Sequence, residues 1–138
     1  MSNPAHWLDV AIESVMDEVD ALQPFATIKR GALGTGNSLC CEVAPSSANA
    51  VFLDKNAYFP LTLTFNGKHS NQQVLMNTLN GIFDNLTRRH GYPSGDGWEI
   101  VDISNGTLPR IIGREENNDF IAAGDLIVKI YRKDDPTV

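Results

Sequence analysis

The fold is decided by Tyr58-Phe59-Pro60-Leu61-Thr62-Leu63-Thr64-Phe65-Asn66 and the segment that follows it. Phe59, Leu61, Leu63 and Phe65 alternate with Pro60, Thr62, Thr64 and Asn66, the period of a strand with one buried face. Pro60 has no N–H to donate, so its end of the strand lies at an edge or beyond the ladder. Four residues after Asn66 the period changes. Leu75, Leu79, Ile82 and Leu86 step by four, three and four, which predicts a helix packing one face on a sheet. Ser70 and Gln73 fit a capping box at its start. Arg88, Arg89 and His90 fall in the predicted last turn, where cations favour the helix dipole, and Gly91 suits the C-cap.

Upstream, Leu8, Ala11, Ile12, Val15, Met16, Val19 and Leu22 form one apolar stripe of a first helix. Asn3 or Ser2 is its expected cap, with Pro4 just inside its start, and it should stop before Pro24. Phe25–Leu33 reads as a strand, Gly34-Thr35-Gly36-Asn37 as a hairpin turn, and Leu39–Val43 as a second strand. Pro45–Asn56 reads as a polar loop or hairpin arm. Downstream, Trp98–Ile103 is a strand, Asn105-Gly106 a turn pair, Leu108–Gly113 a further short strand and Arg114–Asp119 a polar turn. Phe120–Arg132 closes the fold, with Leu126, Val128 and Ile130 on one face. The expected class is α+β: an antiparallel or mixed sheet with two main helices on one face, in the order α-β-β-β-α-β-β. One domain is expected over residues 1–132, with a loose tail over 133–138.

Eleven basic and seventeen acidic residues in a chain of 138 give a formal net charge of −6 and a pI near 4.9. That balance argues against general nucleic-acid binding and against docking on an anionic membrane. The first 24 residues carry Asp9, Glu13, Asp17, Glu18 and Asp20 and no Lys or Arg. This is either a solvated helix face or an acidic surface that meets a basic neighbour. The only two cysteines, Cys40 and Cys41, are adjacent and point to opposite faces of a strand, so they read as reduced thiols of a cytosolic product. The N-terminus lacks the apolar run of a signal peptide.

Sites with chemistry are not apparent. His6, His69 and His90 have no metal-ligand spacing. Gly34-x-Gly36 is too short for a dinucleotide loop. The pairs Glu115-Glu116 and Asp134-Asp135 fall in a polar turn and a tail, where solvated charge is expected. No catalytic, cofactor-binding or metal-ligating residue is assigned. Trp7 and Trp98 read as packing aromatics before interface anchors.

Several stretches together resemble the tail-terminator and minor capsid proteins of long-tailed phages and prophages of Gram-positive bacteria. They are the order of elements, the run Tyr58–Phe65 leading through Lys68-His69-Ser70-Asn71-Gln72-Gln73 into a helix with Leu79-Asn80, and the block Leu108-Pro109-Arg110-Ile111-Ile112-Gly113-Arg114-Glu115-Glu116-Asn117 before a final strand. The resemblance spans Ala5 to Arg132. It implies a structural virion protein, made in the host cytoplasm, that forms a ring of six copies on the tail tube and joins it to the head connector. Its partners would be further copies of itself, the tail-tube protein and connector proteins, and it would not be an enzyme. Heterologous contacts close into such a ring. Asp17 and Glu18 on the first helix could face Arg88 and Arg89 of the next subunit. Arg110, Arg114 and Glu115 are further interface candidates, as are the final strand, taken as an exposed edge, and the 44–57 loop. The alternatives are a head-side connector, a subunit of a headless tail-like particle, or a small ligand-binding domain or enzyme.

Overall fold

A computed structural model describes residues 6–44 and 58–132. The elements are α1 (His6–Ala21), β1 (Ile28–Arg30), β2 (Ser38–Val43), β3 (Tyr58–His69), α2 (Gln72–Thr87), β4 (Ser94–Gly95), β5 (Trp98–Arg114) and β6 (Phe120–Arg132). The class is α+β, and the order follows the one expected from the sequence, with the two-residue β4 added. The expected caps of α1 and the 45–57 arm lie outside the described residues.

The six strands form one mixed sheet in the order β1-β2-β3-β6-β5-β4, curled into a half-barrel. Only β1 and β2 run parallel. The alternation in β3 does what it predicts: Leu61, Leu63 and Phe65 are buried, as are Leu126, Val128 and Ile130 on the neighbouring β6, where Val128 and Leu126 stand opposite Leu61 and Leu63. The same core takes Ala11, Ile12, Val15 and Val19 from α1 and Leu75, Leu79, Ile82, Phe83 and Leu86 from α2. Both helices therefore lie on one face. Burying the Val, Leu, Ile and Phe side chains among these contributes about 1.5–3 kcal/mol each before the entropy of ordering is set against it. Two glycines let α2 come close. A Cβ on Gly67 would meet Leu75 Cδ1 at 2.7 Å, and one on Gly124 would meet the Phe83 ring at 2.9 Å and the Pro109 backbone at 3.0 Å.

Several local expectations are corrected. Asn71, not Ser70, caps α2: its side chain accepts the Val74 N–H at 3.1 Å, while its own N–H donates to His69 Nδ1 at 2.9 Å. The helix ends at Thr87 with Arg88 as the C-cap, so the cations sit past the last turn rather than in it. The 34–37 turn is not a hairpin. Ile28 pairs with Leu39 in parallel, so the chain loops back over seven residues, 31–37, to start β2 beside the beginning of β1. Gly31 and Gly36 make this return possible with φ of 97° and 71°.

Asn105-Gly106 is not a turn either. Trp98–Arg114 is one strand of 17 residues against the 13 of β6, and its register shifts at four places absorb the excess of four. A bulge satisfies the conformational taste of an Asn-Gly pair as well as a hairpin does, and β6 offers a continuous partner on which both halves can pair. β6 itself lies between β3 and β5, so the final strand is interior and not the exposed edge that the sequence suggested. Pro60 stays within the ladder with β6, opposite Lys129, while among the described residues the β2 ladder ends at Val43↔Leu63, before Pro60 is reached.

Candidate assembly surface

The edge that the final strand vacates belongs to β5. β4 covers only Trp98 and Glu99. Beyond Glu99, no described strand pairs with the outer side of β5. Along this edge the register with β6 skips Val101, Gly106, Leu108, Pro109 and Ile112. Three of these are apolar residues on the surface: Val101 is 37% exposed, Leu108 64% and Ile112 53%. The coincidence has a cause. In a regular strand a one-residue step sends the next side chain to the other face, whereas a bulge inserts a residue whose side chain the ladder does not place. Three of the four bulges turn an apolar side chain to solvent, and the fourth inserts Gly106. Leu108 and Ile112 are about 13 Å apart along the strand. Between them stands Arg110, exposed and without an ion-pair or hydrogen-bond partner among the described residues.

The other candidate charges separate into those used inside the chain and those left outward. Glu18 of α1 pairs with Arg89 just beyond α2. Arg89 also donates to Asn85 Oδ1, from Nε at 3.0 Å and from Nη2 at 2.7 Å. Arg88 pairs with Asp84 at 2.7 Å. The acidic helix thus meets one of the two arginines, Arg89, within one copy, which ties α1 to the end of α2, while Arg88 stays on its own helix. Arg114 lies 4.3 Å over the Phe120 ring and reaches Asn118 O at 3.4 Å. Glu115 is taken as well. It accepts from Lys68 Nζ at 3.1 Å, and the same ammonium donates to Gly34 O at 2.6 Å. The Lys68 side chain is 6% exposed, so it needs both acceptors, and through them it joins the β1–β2 return loop to the β5–β6 turn. Asp17 is exposed and has no ion-pair partner among the described residues. Of the seven interface candidates, Asp17 and Arg110 thus present free charge, Glu18, Arg89, Arg114 and Glu115 make contacts between or beside elements, and Arg88 makes an exposed pair within α2.

Sequence reasoning did not find Val101, Leu108 and Ile112 as a group. A signal was present. Ile111-Ile112 is an apolar doublet, and in a two-sided strand only one of such a pair can face the core. Leu108-Pro109 poses the same problem, and it lies between Gly106 and Gly113, residues that favour bulges.

Other features have smaller claims. A shallow depression is lined by Ser70, Asn71, Gln72, Gln73 and Met76 at the start of α2. A second, between α2 and β5, takes in Asn80, Asp84, Arg88, Asn105 and Leu108. Among the described residues no group of three His, Cys, Asp or Glu is placed to hold a metal ion, and no helix is long and apolar enough to cross a membrane. Burial pushes the Cys41 thiol up to about 12 and raises that of Cys40 too, against a pull from the Asn66 hydrogen bond. Trp98 is a core residue, and Trp7 is half-buried under the Arg132 guanidinium at 5.2 Å. No known family model and no curated protein sequence matches the chain.

Proposed function

We propose that this chain is a structural subunit of a bacteriophage tail, a tail terminator whose copies close a ring, of six by the family pattern, on the end of the tail tube. The observation that carries the reading is the β5 edge. Leu108 and Ile112 are turned to solvent by bulges along the open outer edge of β5, on either side of the unpartnered Arg110, with the exposed Val101 farther along the same edge. Exposed apolar residues grouped on one element mark interaction sites. An edge left open but irregular suits regulated contact better than free strand pairing. The sequence resemblance supplies the rest: the ring, the tube and connector proteins as partners, a place in the virion, and a role without catalysis.

Antibody against the chain, carried on gold and viewed by electron microscopy of whole particles, tests the assignment. One cluster of label at the head-proximal end of each tail is expected. Label along the tube, or virions that carry none, overturns it. Label that stays with heads when tails are sheared off moves the chain to the head-side connector.

A further inference from the structure

We propose that the β5 patch of one copy docks on the outer face of α1 in the next. The proposal rests on the ring reading, because self-association is what brings a second α1 within reach. Its basis is a match between two surfaces of the same molecule. From Ile103 to Arg114 the sequence holds Arg110 and Arg114 and no acid, in a chain whose net charge is −6. Arg114 is engaged with Phe120, which leaves Arg110 between the apolar Leu108 and Ile112. On α1, Val10, Glu13, Ser14 and Asp17 fall at helical spacing on one face. Val10 is 38% exposed, and Glu13 and Asp17 are exposed with no partner among the described residues. The helix's other acids are occupied: Asp9 by Arg30 at 3.6 Å, Glu18 by Arg89, and Asp20 by the Ile28 N–H at 3.0 Å. Each surface therefore offers apolar contact beside an unmatched charge, and the charges are opposite. The lengths agree as well, about 13 Å on the strand and about 10 Å from Val10 to Asp17 on the helix.

The contact runs through side chains. Pro109 has no N–H to give, and the bulges break the repeat that an added strand must follow, so a β5–β5 ladder is disfavoured. Patch and receptor are different surfaces. Their pairing is head-to-tail, the type of contact that closes a ring.

Two single-cysteine additions test this: Ser14→Cys on α1, and Thr107→Cys beside the patch. The native thiols are buried. The two variants are mixed at high concentration with a short bismaleimide, and self-association is followed in the same samples by native mass spectrometry. A covalent dimer in the mixture, and in neither variant alone, is expected. Adding Arg110→Glu to the Thr107→Cys chain should lower the yield, and adding Glu13→Lys and Asp17→Lys to the Ser14→Cys chain should restore it. A dimer from Thr107→Cys alone overturns the contact in favour of β5 meeting β5. Self-association without mixed cross-linking overturns it while leaving the ring intact. A chain that stays monomeric at millimolar concentration also overturns it, and the tail-terminator reading is then judged separately by where the gold label falls.

Discussion

Lys68 is the residue on which the turn end of the sheet depends. Its ammonium is almost fully buried and is held by one carbonyl and one carboxylate. Glu115→Gln keeps the shape but removes the charge. It is expected to lower unfolding free energy by about 1–2 kcal/mol in a urea titration, a charge-assisted bond discounted because Glu115 is itself 38% exposed. An unchanged midpoint would show that the pair holds nothing. This role was invisible in sequence, where Lys68 sits in a polar run and Glu115 looks like solvated charge, because the two lie 47 positions apart and are brought together by the pairing of β6 with β3 and β5. Cys41 gives a second prediction. Its thiol holds its proton more tightly in the fold, at about 12, than at the ordinary value of 9.0. The resulting stability is whole below pH 9 and is lost as pH rises toward 12. The urea midpoint should fall over that range, and Cys41→Val should flatten the fall. Equal slopes in the two proteins would remove the thiol as a cause.

At the scale of elements, the strongly periodic segments were legible and the irregular ones were not. α1, β3, α2 and β6 each bury a stripe that can be read from residue spacing alone, and each formed as expected. Over β5 the sequence suggests two strands and a turn because Asn105-Gly106 is a strong turn pair. Nothing local tells a bulge from a turn. The decision is made by β6, which lies on one side of both halves and holds them in a single strand. The same non-local cause hid the assembly surface, since Val101, Leu108 and Ile112 are exposed only by virtue of the register. If the bulges serve contact and not folding, Leu108→Ser with Ile112→Ser should leave stability within about 0.5 kcal/mol of the parent. The same pair should weaken self-association at least tenfold by sedimentation velocity. Loss of stability with association unchanged would return both residues to the fold.

For the molecule as a whole, charge is organised by use. Glu18 and Arg89 lock the helices, Lys68 and Glu115 lock the turns, and Asp17, Glu13 and Arg110 are left outward in a pattern that another copy can complement. The acidic balance read from composition says little about this, because net charge does not record which charges are already matched. We propose that such copies form the ring that ends a phage tail, and tail length in electron micrographs of particles made without this gene tests this. Tubes of uncontrolled length, or finished tails unattached to heads, are predicted. Tails of normal length on normally joined heads would contradict it.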